Sequence, residues 1–271
     1  MAKTLCIANQ KGGVGKTTTS INLAVGLGRS GKRTLLVDMD PQCNASTGLG
    51  IQPVASHPLV GDRALRHEAQ PTACENVTVL PGSHRFRDID LLANLDDSQS
   101  RRVVEQLQSC TGLFDFVLLD CPPSMGRLTQ TALSASHEVL MPIQCEYFAM
   151  EGLRQMIEVI RDVMRASSGQ LGFAGILLTM FDETLELTHE VEAQVREFFG
   201  EIVFETVIPR DVTVSEAPSH CQSVMDYAPR SRGARAYTEL CMEVLSSEEK
   251  ETTGPRTGSL VECLRGARRN D

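Results

Sequence analysis

Lys11 and Lys16 bracket a cluster of glycines in the run Lys11-Gly12-Gly13-Val14-Gly15-Lys16-Thr17-Thr18. Glycines, lacking Cβ, let successive backbone N–H groups converge on an anion. The run follows a short apolar stretch, Leu5-Cys6-Ile7-Ala8, that reads as a buried strand, and it opens a helix-like stretch, Ser20-Ile21-Asn22-Leu23-Ala24-Val25-Gly26-Leu27. A glycine-rich turn between a strand and a helix is where a nucleotide's phosphates can sit. In such a turn the stretch from Gly12 through Gly13, Val14 and Gly15 to Thr18 cradles the phosphates. Lys16 reaches the β- and γ-phosphates, and the Thr17 hydroxyl can hold Mg²⁺.

The loop departs from the common spacing G-x-x-x-x-G-K-[ST]: Gln10 stands at the first glycine, and Lys11 sits beside it. Lys11 cannot easily fold back onto phosphates that Lys16 already serves, but it can reach a phosphate held by a second subunit. The pattern therefore predicts a nucleotide-sandwich homodimer with Lys11 acting in trans, in the manner of an arginine finger. The alternative is a solvated surface lysine. Asp120 ends the strand Phe114–Leu119 and precedes Pro122-Pro123; an aspartate there resembles the Walker B position, which orients Mg²⁺ through water. Asp38 and Asp40 end the second apolar run. A helix cap is a rival reading for Asp40, which precedes Pro41.

Placing these residues requires alternating strands and helices. Apolar runs at 3–9, 34–38, 77–80, 115–120, 138–142, 173–179 and 203–207 read as strands, and 3.6-residue periodicity marks helices at 148–166 and 186–199. Met156, Val159, Ile160 and Val163 give the first of these helices a buried face. The order predicts an α/β fold, a twisted parallel sheet with helices on both faces and ligands at the carboxyl ends of the strands. The phosphate loop, Asp38, Asp40 and Asp120 all fall at that edge. Segment 50–75, rich in Pro, His and Gly, reads as a variable surface insertion. One domain over 1–246 and a disordered tail over 247–271 are expected.

The chain has 271 residues, 41% hydrophobic and 23% charged, enough for one sizeable core. Its nine cysteines include no C-x-x-C pair, which speaks against a zinc site, an iron–sulfur cluster or a disulfide framework and points to a reducing compartment. The N-terminus runs straight into the first strand, so no signal peptide is expected, and no apolar run approaches bilayer length. The patch Leu260-Val261-x-x-Leu264 is too short and weakly apolar for stable membrane anchoring. A cytoplasmic protein without a membrane partner is expected. The net charge of −9 disfavours nucleic acid as a partner except through a local basic patch.

Five segments together carry a family resemblance: Ala8–Thr19, Leu35–Gln42, Phe116–Ser124, Val207–Arg210 and Ser215–His220. In this order, over residues 3 to about 246, they resemble the ParA/Soj-type partition ATPases, deviant P-loop relatives of MinD. The resemblance implies a slow, partner-stimulated ATPase with ATP and Mg²⁺ as cofactors. It implies that Asp40 positions the attacking water and that Asp38 supports the metal or the loop. Adenine contacts are implied near the end of strand six, Thr179–Asp182, and at the turn Pro209-Arg210-Asp211, where Asp211 stands in place of the usual asparagine. The ATP-bound dimer of this family binds DNA without sequence preference, and a ParB-like partner stimulates hydrolysis. Arg230, Arg232 and Arg235 match its basic turn, although Glu183-Thr184, Thr213 and Cys221-Gln222 stand where the family often carries charge or Gly-Lys. Chromosome or plasmid partition, with nucleoid association, is the implied role. The alternative is a ParA-like positioning ATPase for a non-DNA cargo. A sequence-specific repressor is disfavoured because the chain opens on its first strand.

Overall fold

The computed structural model describes residues 2–61, 63–85, 96–110, 112–147, 149–166 and 171–251. Its strands are β1 (Lys3–Ile7), β2 (Thr34–Asp38), β3 (Gln70–Pro71), β4 (Val77–Leu80), β5 (Phe116–Asp120), β6 (Glu138–Gln144), β7 (Gly172–Phe181) and β8 (Val203–Pro209). They form one sheet in the order β3-β4-β2-β5-β1-β6-β7-β8, parallel except for the short β3–β4 pair. Parallel strands covered on both faces must be apolar on both, and β2 and β5 are buried at every position. Along β1, Leu5 and Ile7 enter one core while Cys6 and Ala8 enter the other, the two-residue alternation of a pleated strand.

The first core lies under helix α1 (Lys16–Arg29) and the last helix, Arg232–Glu251, with Ile21, Leu23, Leu27, Tyr237 and Leu240 against Leu36, Leu118 and Leu140. The second core lies under helices Asp97–Ser109, Arg127–Ser134, Ala149–Ala166 and Glu186–Phe199. Met156, Ile160 and Val163 are buried there and Val159 packs against them, as the periodicity requires. The sheet thus has helices on both faces, the α/β architecture expected from the alternation.

Three features lie beyond the sequence reading. β3 is antiparallel and only two residues long, so it carries no apolar alternation to betray it. Segment 50–75 is not a surface appendage: Leu59 and Leu65 join the core, and buried His57 places Nε2 2.9 Å from the Asp38 carbonyl. The last helix continues to Glu251, past the boundary expected at 246. The remainder of the tail, including Leu260, Val261 and Leu264, falls outside the described residues. The eight described cysteines are free thiols, six of them buried.

α1 must approach the sheet closely because its phosphate-facing end is set by β1. A Cβ at Gly28 would lie 2.5 Å from Val77 Cγ2 and 3.0 Å from the Glu75 carbonyl oxygen. Gly28→Ala is therefore expected to destabilise the protein by about 1–2 kcal/mol despite alanine's better helix propensity. Urea unfolding measures this; unchanged stability would mean the strand yields at no cost.

Candidate active site

β1 delivers the chain to the centre of the sheet, between β5 and β6, and the loop that follows crosses the carboxyl edge. Gly13 and Gly15 take φ of +75° and +89°, a region that favours glycine, and nothing lies within 4 Å of a Cβ built at Gly13. α1 starts at Lys16 with no side-chain cap and no acidic residue in its first turn. Its orphan N–H groups and positive dipole end therefore face the space over the loop. The loop is anchored from outside: Thr179 Oγ1 donates to the Val14 carbonyl at 2.9 Å, and Asn9 Oδ1 accepts from Lys11 N at 3.0 Å.

The two lysines occupy different environments. Lys16 is buried, and its Nζ donates to the Lys11 carbonyl at 2.9 Å. Burial lowers its pKa, while the charges of Asp120 and Asp40 work in the opposite direction. Lys11 is exposed and its Nζ sits 2.8 Å from Glu146 Oε2. Glu146 is held in turn by Gln144 Nε2 at 2.5 Å.

The carboxylates meet at the ends of β2 and β5, where Asp38 and Asp120 are register partners. Asp120 is fully buried; Thr17 Oγ1 donates to its Oδ2 at 2.9 Å and Ser20 Oγ to its Oδ1 at 2.8 Å. Asp38 Oδ2 accepts from Ser46 N and Ser46 Oγ at 2.8 and 2.6 Å, so its contacts serve the loop after β2. Gly82 leaves room for this, since a Cβ there would lie 3.0 Å from Asp38 Cγ. Asp40 Oδ1 accepts from Gln42 N at 2.9 Å in a local turn, and Oδ2 has no hydrogen bond among the described residues. The short helix Asn44–Thr47 has Cys43 as its N-cap, so Asp40 is not that helix's cap.

Burial, with the neighbouring Asp38 charge adding to it, pushes Asp120 up to about 8; burial pushes Asp38 up to about 6. An unfolded aspartate releases its proton near pH 4, so the folded state binds more protons between there and pH 8. Stability of the nucleotide-free protein is therefore expected to fall as pH rises through that window and to level off above it. Asp120→Asn should flatten the Tm profile between pH 5 and 8; an unchanged slope would place the titration elsewhere.

The remaining expected residues form a second group. Pro209 ends β8, and the Arg210 N–H donates to the Phe181 carbonyl at 2.7 Å. Asp211, the expected acceptor for the adenine amino group, has both oxygens hydrogen-bonded within the chain. Oδ1 accepts from Thr213 N and Oγ1 at 3.0 and 2.8 Å, and Oδ2 accepts from Gly233 N at 2.9 Å. Arg230, Arg232 and Arg235 are exposed at the start of the last helix, with Arg210 exposed at the end of β8. Arg232 is paired with Glu183 at 3.6 Å.

Ser20, Ser46 and Glu146 were not among the expected site residues, and Thr179, expected near the base, instead ties the phosphate loop at Val14. Ser20 carried a signal, lying one helical turn after Lys16. Ser46 reaches Asp38 from eight residues on, and Glu146 reaches Lys11 from a distant segment. Among the described residues no group of three or more His, Cys, Asp and Glu side chains is arranged to hold a metal by itself. That suits Mg²⁺, which takes one or two carboxylates and completes its shell with water and phosphate oxygens. An open glycine cradle, an uncapped helix end, a buried lysine and the Thr17–Asp120 pair fit a nucleotide polyphosphate with Mg²⁺.

A sequence profile of the family described as "AAA domain" matches residues 2–173. The chromosome-partitioning ATPase Soj of Treponema pallidum (strain Nichols) is 42% identical over 255 residues, covering 92% of this chain and 99% of that protein. The chromosome partitioning protein ParA of Myxococcus xanthus (strain DK1622) is 40% identical over 253 residues, covering 92% and 89%. Among solved structures, a cobyrinic acid a,c-diamide synthase from Mycobacterium smegmatis with bound ATP analogue and magnesium superposes with a TM-score of 0.79. It is 31% identical and the match covers 93% of this chain and 97% of that one.

Proposed function

The chain belongs to the ParA/Soj family of partition ATPases, and on that premise we propose that it is an ATP-driven dimerisation switch whose ATP-bound dimer binds DNA without sequence preference. ATP and Mg²⁺ are its cofactors: ATP supplies the phosphoryl group transferred to water, and Mg²⁺ neutralises the charge that develops. The glycine-loop amides and the end of α1 bind the phosphates, and Lys16 donates to them from the buried side. Thr17 and Asp120 hold the metal. Asp40, with one oxygen open, orients the attacking water; such reactions depend mostly on positioning and charge stabilisation.

The observation that carries the dimer is the division between the lysines. Lys16 already serves the loop from within, while Lys11 is exposed and held only by a surface ion pair. Each subunit's Lys11 then closes on its partner's phosphates. The arginines at 210, 230, 232 and 235 form the patch for the DNA backbone, and a ParB-like partner stimulates hydrolysis, which parts the dimer. A protein-positioning role remains the second reading, favoured by the net charge of −9 and by Glu183 neutralising Arg232.

Duplex-DNA binding with ATP, ADP or no nucleotide across a salt series tests the reading. ATP-dependent binding is expected, with an affinity that falls steeply with salt and a slope made shallower by Arg230→Ala/Arg232→Ala/Arg235→Ala. Nucleotide-dependent dimerisation without DNA binding in any state would favour the second reading.

A further inference from the structure

Three chain segments meet beside the phosphate loop, and hydrogen bonds join them in sequence. Val14 in the loop is tied to Thr179 at the end of β7. Two residues on, the Phe181 carbonyl accepts from Arg210 N at the end of β8. Asp211, next in the chain, binds Gly233 N in the first turn of the last helix. Gly233 lies between Arg232 and Arg235, and the N-terminal turn of this helix is closed by Ser231 Oγ accepting from Ala234 N at 3.0 Å.

The Asp211 side chain joins the end of β8 to the last helix, and it does so as a carboxylate. One oxygen is taken up by Thr213 N and Oγ1, and the other by Gly233 N. An amide in its place has a single acceptor oxygen and would turn its NH₂ toward one of these donors. The contact also demands closeness: a Cβ on Gly233 would lie 2.2 Å from Val214 Cγ2 and 3.4 Å from Asp211 Oδ2. Burial opposes the Asp211 charge, but the bonds from Gly233 and Thr213 and the Arg232 charge outweigh it and hold the pKa below the usual carboxylate range.

We propose that Asp211 is a positioning residue that fixes the arginine turn 230–235 to the nucleotide-side edge of the sheet, so that nucleotide state sets the geometry of the DNA-contacting arginines. The inference rests on the DNA-binding reading above. Asp211 touches neither nucleotide nor DNA in this role; it transmits the position of the β7–β8 edge to the turn.

The test uses the full chain carrying Asp211→Asn, with Gly233→Ala separating the same contact by a different route. Three quantities are read: MgATP affinity from a fluorescent ATP analogue, DNA affinity with ATP and with ADP over a salt series, and hydrogen exchange of the 230–235 amides. Expected in Asp211→Asn are MgATP affinity within about threefold of wild type, faster exchange at Gly233, and ATP-dependent DNA affinity lowered about tenfold with a shallower salt slope. Gly233→Ala should reproduce the DNA loss. A merely structural role would lower Tm and both affinities together and would spare the ATP-to-ADP ratio of DNA binding.

Faster exchange at Gly233 with unchanged DNA binding overturns the proposal. So does a large loss of MgATP affinity with Gly233 still protected, since Asp211 would then serve the base. If wild type binds no DNA in any state, the DNA reading fails by itself. The strut is then judged by exchange alone: an ATP-induced change at 230–235 that Asp211→Asn abolishes supports it, and equal behaviour of both proteins overturns it.

Discussion

Lys16→Ala is expected to lower MgATP affinity at least about 100-fold, a loss of about 2.7 kcal/mol. The ammonium lies inside the site, donates to the Lys11 carbonyl and stands near the charges of Asp120 and Asp40. Desolvated and already oriented, it meets a phosphate without the reorganisation that water demands, and charge-assisted bonds of this kind are the strong ones. Alanine removes the charge and frees the carbonyl of Lys11. Lys16→Gln retains an N–H donor without the charge and should fall between. Titration calorimetry reads both, and wild-type affinity in Lys16→Ala would place the phosphates somewhere other than this loop.

Lys11→Ala separates binding from assembly. Its side chain is 43% exposed and its partner Glu146 46% exposed, so the ion pair is worth at most about 1 kcal/mol and yields readily to a phosphate. The alanine variant is expected to bind MgATP within about threefold of wild type. Its ATP-dependent dimerisation should weaken at least about 100-fold, about 2.7 kcal/mol. Hydrolysis should fall with it, since a charge supplied in trans contributes on the order of 10³–10⁵ to such reactions. Light scattering with MgATP checks the first loss and phosphate release the second. Normal dimerisation of this variant would return Lys11 to the status of a surface lysine.

Much of this was legible in the chain. The strand at 77–80 and the helix at 186–199 appear at the expected residues, because burial on one or both faces writes itself into apolar periodicity. The glycines, Lys16 and Thr17 were legible because the loop's chemistry is local. Long-range partners were not. Nothing near Glu146 announces Lys11, and nothing near Ser46 marks it as the group that holds Asp38. Asp211 shows the limit most clearly. Family resemblance implies a place near the base, and the structure adds bonds forward to Thr213 and across to Gly233, a pairing that only the fold brings within reach. Segment 50–75 reads by composition as a variable surface insertion, yet His57 and Leu59 are buried in it.

The most direct measurement of the switch is sedimentation equilibrium of the Asp40→Ala variant with MgATP and with MgADP. Removing the carboxylate proposed to orient water should leave the phosphate contacts of Gly12–Thr18 intact and stop turnover. A stable dimer with MgATP and a monomer with MgADP is the expected result. The same mass in both nucleotides would contradict a dimer held together by the transferred phosphoryl group.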